Sequence, residues 1–493
     1  MNLARIIEDH DAEAPALISR GLTTTYGELR EQVAAVRGGL RELGIGPDDR
    51  VGLLCANNWY FVVGYLAILG LGGVAVPLNP VSPARAVERE LRTVGAAGVV
   101  VGPAGRACMA GVDRSIVPLV IACPGVELDD AVSLEELLAS EPVPIVERDP
   151  DDLAVLMFTS GTAGTPKAAM LSHRNLLTNL AQSQAHEGRD QTADDVVFGV
   201  LPFFHIFGLN VVLAITLQIG GTVLLVERFD PSSALDAIDK HKVSVLSGPP
   251  ALWAALASMP EARPEDVASV RLAVSGAAKL PNETAEMVQQ RLGLHVREGY
   301  GLTECSPVVT NALGTDAPTG SVGIPVPGLE VRLVDTDGSD VLIGDSGELW
   351  VRGPNVFQGY LDDPDATRRA LTEDGWLRTG DLAVVDDKGY LYLVDRVKDL
   401  IIVSGFNVFP AEVEEVLIEH PRIDAVAVVG VPHPHSGEAV KAYVVVGEGA
   451  IEEDDVVAFC AEYLPSYKCP SKVIFVDEIP RGLGGKVLRR ALR

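Results

Sequence analysis

The segment Leu153–His173, which reads LAVLMFTSGTAGTPKAAMLSH, carries the residue types that bind phosphate. An apolar run leads into a loop of glycines and hydroxyl residues that ends in a lysine, with Thr159, Ser160, Gly161, Thr162, Gly164, Thr165 and Lys167 as the candidates. Glycines let backbone N–H groups turn towards an anion, hydroxyls add donors, and lysine neutralises phosphate charge. The spacing differs from the ATPase pattern GxxxxGK[ST]. The segment therefore predicts a phosphate loop of another kind, with an ordinary flexible loop as the alternative.

Two further clusters carry groups that a nucleotide needs. In EGYGLTECSPVV, Thr303 and Glu304 offer oxygen ligands for Mg²⁺, and Tyr300 between two glycines could present its ring to a flat base. In GWLRTGDLA, Asp381 is predicted to lie in a turn, where its carboxylate could accept hydrogen bonds from two ribose hydroxyls. A Thr-Glu pair is also common at surfaces, and a Thr-Gly-Asp turn is commonly just solvated, so neither cluster decides the function alone.

The last 13 residues invert the charge balance of the chain. The tail RGLGGKVLRRALR, Arg481–Arg493, has five basic residues and no acidic one. Gly482, Gly484 and Gly485 lie close to Lys486 and predict a mobile approach to it. A swinging lysine that reaches a phosphate and a solvated basic tail both fit this pattern.

The elements that must position these clusters alternate between helix and strand along most of the chain. The first run is predicted, in order, as Tyr26–Leu43 (helix), Val51–Leu54 (strand), Tyr60–Leu71 (helix), Val74–Leu78 (strand), Ala84–Val94 (helix) and Ala97–Val101 (strand). The same alternation returns from Val196 to Val274. Strands that alternate with helices indicate parallel sheets covered by helices on both faces.

The pattern changes after Gly320. Three short segments, GLEVRLVD, GELWVRG and GYLYLVDR, alternate between apolar and polar residues and are separated by glycine and aspartate turns. They predict a small antiparallel or barrel-like β unit. After Asp395, the run DRVKDLIIVSGFNVFPAEVEEVL predicts a strand, a glycine turn and a helix with Pro410 at its start. A compact α/β segment therefore follows the β unit.

Composition and charge narrow the functional class. Hydrophobic residues make up 47 % and charged residues 22 % of the 493 residues, which fits a globular protein and excludes fibrous, coiled-coil and disordered chains. The 40 basic residues against 68 acidic ones give a net charge of −28, which argues against binding to nucleic acid. An anionic ligand would need basic groups that are gathered locally.

Cysteine usage and hydropathy bear on the compartment. None of the six cysteines forms a CxxC pair or a metal-type spacing, which favours a reducing, cytoplasmic location. Two uncharged stretches, Val51–Ala84 and Ile206–Val226, are broken by asparagine or glycine and predict buried helices and strands rather than transmembrane segments. An apolar surface patch could still make peripheral contact with a membrane, and monomer and homodimer both remain open.

In this order, the phosphate loop, the Thr-Glu and Thr-Gly-Asp clusters, the segment after Asp395 and the basic tail resemble the acyl-adenylate-forming superfamily. That superfamily includes acyl-CoA synthetases, aryl-CoA ligases, luciferases and nonribosomal-peptide adenylation domains. The similarity covers essentially the whole chain, and EGYGLTECSPVVT with LPFFHIFGL is most similar to bacterial fatty-acid CoA synthetases. The resemblance implies an α/β fold with a large N-terminal domain, 1–395, that ends in a barrel-like β part, 320–395. A small mobile C-terminal α+β lid domain, 396–493, would carry the catalytic lysine.

The resemblance also implies a reaction and its cofactors. A carboxylic acid and ATP would form acyl-AMP and pyrophosphate with Mg²⁺, and CoA would then take the acyl group. The chain would thus be an AMP-forming acid–thiol ligase. A medium- or long-chain fatty acid is the favoured substrate because the candidate pocket residues are apolar. An aryl-CoA ligase for coumarate- or benzoate-like acids, an enzyme that loads a carrier protein, and a non-catalytic nucleotide-binding relative are the alternatives.

Residue roles follow from the same resemblance. Besides the phosphate loop, the nucleotide would be bound by Gly276, Ala277, Tyr300, Asp381 and Arg396. Thr303 and Glu304 would hold the α-phosphate and Mg²⁺, with Thr159 acting on Mg²⁺ indirectly. Lys486 would bridge the carboxylate and the α-phosphate, and His205 would lie beside the acyl carboxylate. The remaining roles are a hinge and CoA channel at Lys398, Ser404, Gly405 and Phe406, and an acyl pocket at Phe204, Phe207, Leu302 and Val308.

Overall fold

The computed structural model describes the chain except residues 160–165, 189, 397–398, 404–405, 434–436, 448, 465, 483–486 and 493. The described residues form two compact units. The larger unit consists of Met1–Thr319, Gly323–Glu330 and Val351–Leu377. The smaller unit consists of Gly320–Val322, Val331–Trp350 and Arg378–Arg493.

Strands occur throughout both units. In chain order they are β1 (Pro15–Ser19), β2 (Leu22–Thr25), β3 (Arg50–Leu54), β4 (Val74–Pro77), β5 (Gly98–Val101), β6 (Leu119–Ala122), β7 (Val132–Ser133), β8 (Leu153–Thr159), β9 (Lys167–Ser172), β10 (Val196–Gly199), β11 (Thr222–Leu225), β12 (Val245–Gly248), β13 (Leu272–Ser275), β14 (Arg297–Gly301), β15 (Val308–Asn311), β16 (Ile324–Pro325), β17 (Glu330–Val334), β18 (Gly347–Arg352), β19 (Leu377–Val385), β20 (Leu391–Arg396), β21 (Ile401–Val403), β22 (Phe406–Val408), β23 (Ile423–His433), β24 (Gly437–Val446) and β25 (Lys472–Phe475).

Helices connect most of these strands. They are α1 (Tyr26–Glu42), α2 (Trp59–Gly70), α3 (Ala84–Val94), α4 (Arg106–Met109), α5 (Leu134–Leu137), α6 (His173–Gln184), α7 (Ile215–Ile219), α8 (Pro231–His241), α9 (Pro250–Ser258), α10 (Asn282–Leu292), α11 (Pro364–Ala370), α12 (Pro410–Ile418) and α13 (Glu453–Tyr463). A π-helical segment, Phe207–Ala214, leads directly into α7. Short 3₁₀ turns include Leu3–Ile7 and Thr303–Cys305.

The larger unit contains two mixed sheets. The nine-stranded sheet has the order β16-β15-β14-β13-β12-β10-β11-β1-β2, with parallel pairs from β14 to β1 and antiparallel pairs at both ends. The seven-stranded sheet has the order β7-β6-β5-β3-β4-β8-β9, with β9 as the antiparallel edge. Strands β4 and β5 are buried at every position, as expected for parallel strands covered on both faces.

The first predicted elements agree with the structure to within one residue at each end. Helix α1 begins with a capping box, in which Thr25 and Glu28 satisfy each other's backbone N–H groups. Helix α2 is apolar on all sides and is buried from Tyr60 to Gly70, as its sequence requires. Helix α3 has the predicted bounds, buries Val87 and Leu91, and ends at a left-handed glycine.

The two uncharged stretches form buried elements. The first contains β3, α2 and β4, and the second contains the π-helical segment, α7 and β11. Among the residues that the structure describes, no helix has both the length and the apolar character that a membrane crossing requires.

The smaller unit contains the β segments that follow Gly320. Strands β17, β18, β19 and β20 form a four-stranded sheet in that order. A second sheet has the order β22-β21-β24-β23, with β25 parallel to β24. Helix α12 begins with Pro410 at its first position, as predicted, and buries Val413 and Leu417 in this unit's core.

Candidate functional site

The predicted phosphate loop connects two strands of the seven-stranded sheet. Strands β8 and β9 pair as an antiparallel hairpin in which Thr159 lies opposite Lys167. Four consecutive residues of β8, Ala154 to Met157, are buried, so the apolar run before the loop anchors it in the core. Both ends of the loop are thereby fixed by the sheet. The candidates Ser160, Gly161, Thr162, Gly164 and Thr165 lie outside the described residues.

Lys167 at the start of β9 lies beside two groups that sequence analysis did not single out. Its Nζ is 3.6 Å from Asp363 Oδ2 and 5.2 Å from the centre of the Tyr360 ring. Asp363 is the N-cap of α11 and accepts a hydrogen bond from Ala366 N at 2.9 Å. That backbone bond, and then the charge of Lys167, hold the pKa of Asp363 below its usual value. The lysine thus has a charged partner within the protein.

Tyr360 is held against β9 by backbone hydrogen bonds. Met170 N donates to Gly359 O at 2.9 Å, and Leu361 N donates to Ala168 O at 2.9 Å. Gly359 has φ +122°, and a Cβ there would lie 2.6 Å from Thr367 Cγ2, so only glycine fits. The segment therefore extends the hairpin sheet and fixes the tyrosine beside the phosphate-loop strand.

The same tyrosine contacts the predicted magnesium ligand. Tyr360 Oη donates to Glu304 Oε1 at 2.7 Å, and Phe357 N donates to Glu304 O at 2.8 Å. Burial, and then the neighbouring Glu304 charge, raise the pKa of Tyr360, so the phenol keeps its proton and remains a donor. Three sequence regions that lie far apart in the chain therefore meet at one ring: the β8–β9 hairpin, the Thr303–Cys305 turn and the segment around Tyr360.

The donor set at Glu304 fits a magnesium ion that is bound together with phosphates. Glu304 is half-buried, and its Oε2 has no hydrogen-bond partner among the described residues. Across the part of the chain that the structure describes, no group of three or more His, Cys, Asp or Glu side chains could hold a metal ion. Mg²⁺ commonly binds through one or two carboxylates plus substrate phosphates and waters, and a single free carboxylate oxygen matches that requirement.

The predicted adenine residues lie at the ends of neighbouring strands. Gly276 follows β13 and its N–H donates to Gly248 O at 3.2 Å, while Ala277 has a left-handed backbone with φ +68°. Tyr300 lies in β14, which pairs with β13. Buried Glu298, which sequence analysis missed, accepts a hydrogen bond from Leu280 N at 2.9 Å and holds the turn after β13. The structure thus places these residues near the carboxyl-terminal ends of two adjacent parallel strands inside the nine-stranded sheet.

His205 and its neighbours are fixed by a buried asparagine. Asn57 Nδ2 donates to Gly199 O at 2.9 Å and to Leu201 O at 2.7 Å, and its Oδ1 accepts from Phe203 N at 2.9 Å. Every hydrogen-bonding group of this amide except one is therefore used to hold the chain that leads to His205. The imidazole is exposed, yet the protein atoms around it lower its pKa by desolvation.

The predicted acyl-pocket residues lie around the start of the π-helical segment. The Phe207 ring lies so close to Gly276 that a Cβ at that glycine would be 3.0 Å from Phe207 Cε1. Phe204, Phe207 and Leu302 are half-buried, and Val308 is buried. Val308 N donates to Asn179 Oδ1 at 3.0 Å, which fixes the start of β15. Phe207, a predicted acyl-pocket residue, is thus brought into direct contact with Gly276, a predicted adenine-binding residue.

In the smaller unit, Asp381 lies in a strand and not in a turn. The predicted turn at Thr-Gly-Asp is wrong, because β19 continues through these residues and Asp381 pairs with Arg396 of β20. Gly380 has a left-handed backbone with φ +71° although it lies within the strand. This backbone conformation is typical of glycines in turns, which is why the sequence resembles a turn. Gly380 N donates to Glu348 Oε1 at 3.0 Å. The strand pairing brings together the backbones of the two predicted ribose ligands.

Several predicted residues cannot be assigned a place. Lys398, Ser404, Gly405 and Lys486 lie outside the described residues, and of Arg396 and Phe406 only the backbone is described, in β20 and β22.

Comparison with known proteins identifies the family. Residues 4–361 match the AMP-binding enzyme family, and residues 412–486 match the AMP-binding enzyme C-terminal domain. A long-chain-fatty-acid–CoA ligase of Escherichia coli O157:H7 is 37 % identical, over 98 % of this chain and 92 % of that protein. A 4-coumarate–CoA ligase 3 of Oryza sativa subsp. japonica is 36 % identical, over 97 % of this chain and 89 % of that protein. The crystal structure of ATP-bound MatB from Rhodopseudomonas palustris superposes with a TM-score of 0.92 at 34 % identity, covering 100 % of this chain and 98 % of that chain. The chain therefore belongs to the AMP-binding enzymes of the acyl-adenylate-forming superfamily, as its motifs indicated.

Proposed function

We propose that this protein is an ATP-dependent acyl-CoA ligase, which activates a medium- or long-chain fatty acid as acyl-AMP and then transfers the acyl group to CoA. The observation that carries the proposal is the meeting of Lys167 and Glu304 at Tyr360 within a chain of the AMP-binding family. A cation for phosphate and a free carboxylate oxygen for a metal ion are the groups that binding of a nucleoside triphosphate requires.

Charge neutralisation is the main task in the first half-reaction. A carboxylate that attacks an anionic α-phosphate meets like-charge repulsion, and no general base is needed because the acid is already ionised at neutral pH. Lys167 would bind the β- and γ-phosphates with the loop after Thr159, and Lys486 would neutralise charge on the reacting oxygens. Glu304 and Thr303 would hold Mg²⁺, which when bound supplies further positive charge at the phosphates.

The second half-reaction needs access for a thiol. We propose that residues 396–493 act as a lid domain that turns about Lys398, so that Lys486 leaves the acyl carbon and CoA reaches it along Ser404, Gly405 and Phe406. Asp381 and Arg396 would hold the ribose hydroxyls. These roles rest on the family resemblance of the motifs.

Apolar side chains favour a fatty acid. Phe204, Phe207, Leu302 and Val308 offer no charged group that could pair with a second carboxylate. The relative from rice, which is named a 4-coumarate–CoA ligase, supports an aromatic acid as the second candidate. All six cysteines are free thiols, which supports a reducing, cytoplasmic location.

Pyrophosphate release with ATP and Mg²⁺ across a panel of acids tests the proposal. The panel runs from acetate to palmitate and includes malonate, benzoate and coumarate, each with and without CoA. We expect CoA-dependent turnover that is highest on a medium- or long-chain alkanoate. Turnover that is highest on the aromatic acids would identify an aromatic acid, the second candidate, as the substrate. Release that does not depend on CoA would indicate a carrier-protein acceptor, and no release with any acid would refute the enzymatic function.

A further inference from the structure

Tyr360 is the residue at which the two halves of the triphosphate site meet, yet no motif that identified the site includes it. Its hydroxyl donates to Glu304 Oε1 at 2.7 Å, and its ring lies 5.2 Å from Lys167 Nζ. The side chain is half-buried, and among the described residues the hydrogen bond to Glu304 is the one that its hydroxyl makes. Within the described part of the chain, the hydroxyl that distinguishes this tyrosine from a phenylalanine therefore acts on Glu304.

The position of the ring is itself fixed from three sides. Tyr360 N donates to Thr367 Oγ1 at 2.9 Å, and Ala169 of β9 pairs with Tyr360. Phe357 packs edge-to-face on the ring, with centroids 4.9 Å apart and an interplanar angle of 74°. The hydroxyl therefore reaches Glu304 from a rigid support, which is the condition for orienting a ligand group in advance.

Because Tyr360 binds one oxygen of the Glu304 carboxylate, the position of the other oxygen is also defined. Glu304 has three side-chain torsions, and a carboxylate with no partner would sample many orientations, each of which must be lost when a metal ion binds. The hydrogen bond to Oε1 removes that freedom and leaves Oε2 without a partner among the described residues. Groups that hydrogen-bond to a metal-binding carboxylate raise the affinity for the metal by orienting that carboxylate.

We propose that Tyr360 is a positioning residue that orients the Glu304 carboxylate for the divalent cation bound with ATP. The inference rests on the proposed function, because that function assigns the metal to Glu304. Tyr360 acts through Glu304 by holding Oε1, and the cation is assigned to the other oxygen.

The test is the Mg²⁺ dependence of ATP binding to the full-length chain, measured by calorimetry across a series of Mg²⁺ concentrations without any acid. Tyr360→Phe keeps the ring beside Lys167 and Phe357 and removes only the hydroxyl. We expect the Mg²⁺ concentration for half-maximal ATP binding to rise about tenfold, since a hydrogen bond to a charged group is lost. Tyr26→Phe is the matched control, because the Tyr26 hydroxyl is also buried and donates to Gly221 O at 2.7 Å. It should lower thermal stability and leave the Mg²⁺ dependence unchanged.

A double-mutant cycle with Glu304→Ala, which removes both the carboxylate and the acceptor for Tyr360 Oη, separates positioning from a direct role. If Tyr360 acts through Glu304, Tyr360→Phe should have almost no further effect once Glu304 is changed. Additive effects, or a Tyr360→Phe variant with the wild-type Mg²⁺ dependence, would overturn the inference. Binding of ATP is measured without turnover. Absence of pyrophosphate release with every acid would therefore refute the proposed function, while the effect of Tyr360→Phe on Mg²⁺-dependent ATP binding would still be decided by its own measurement.

Discussion

Stability of the larger unit should fall in mild acid because of one buried histidine. His173 is the first residue of α6, directly after the strand that begins at Lys167, and is completely buried. Its Nδ1 accepts a hydrogen bond from Leu3 N at 3.0 Å, which ties the N-terminal 3₁₀ turn to α6. Burial, and then the charge of Arg148, lower the pKa of His173 from 6.5 to about 4.

The magnitude follows from linkage. The unfolded chain takes up the proton near pH 6.5 and the folded chain only near pH 4, so this contribution is complete above pH 6.5 and is lost as the pH falls towards 4. At about 1.36 kcal/mol for each pH unit between the two pKa values, the full effect is about 3 kcal/mol, of which about 2 kcal/mol is lost by about pH 5. Protonation would also remove the acceptor for Leu3 N.

The assay compares wild type with His173→Asn, which keeps an acceptor and cannot titrate in this range. Urea unfolding would be followed by tryptophan fluorescence, since Trp253 is buried in the same unit. The difference in unfolding free energy between the two proteins should change by about 2 kcal/mol between about pH 7.5 and 5, with wild type losing more. His295→Asn, at an exposed site, is the control and should give a constant difference. A constant difference for His173→Asn as well would refute the reasoning.

Three further changes test the site. Lys486→Ala should slow pyrophosphate release by about 10²–10³-fold while acyl-CoA formation from supplied acyl-AMP stays near wild type, because the role proposed for this cation is confined to adenylation; equal losses would remove that role. Gly276→Ala places a Cβ 3.0 Å from Phe207 Cε1, so KM for long acids should rise about tenfold, as steady-state kinetics would show, and an unchanged KM for these acids would contradict the contact. Asn57→Ala leaves two carbonyls and Phe203 N without partners and should cost about 3 kcal/mol in urea unfolding, with lower turnover; unchanged stability would contradict that estimate.

The regular elements could be predicted because their signals are local. Helix α3 has a polar face, an apolar stripe and a glycine stop within its own sequence, and its bounds were predicted without error. Strands buried on both faces appear as short apolar runs between turns, which is why β4 was predicted to within one residue. The turn predicted at the Thr-Gly-Asp segment was wrong, because its glycine suits a turn locally while pairing with β20 keeps Asp381 in an extended strand.

The site was only partly predictable because its contacts join distant parts of the chain. Lys167 and Glu304 have residue types and flanking glycines or hydroxyls that suggest phosphate and metal chemistry by themselves. Tyr360 and Asn57 carry no such signal, since a tyrosine after a glycine and an asparagine after a strand are common in any protein. Their roles depend on partners that only the fold brings near, across the paired edge of β9 for Tyr360 and between two sheets for Asn57.

The overall charge explains why the site must be built this way. A chain with a net charge of −28 repels ATP and CoA at long range, so affinity has to come from a few cations at short distance. A lone buried lysine would be costly, and Lys167 avoids that cost by resting 3.6 Å from Asp363 and over the Tyr360 ring. The phosphates of a bound ATP would then offer Lys167 more negative charge than the half-exposed Asp363 carboxylate does. Tyr360, whose ring lies beside Lys167, also donates a hydrogen bond to the Glu304 carboxylate, so the same rigid segment orients the positive and the negative side chain of the site.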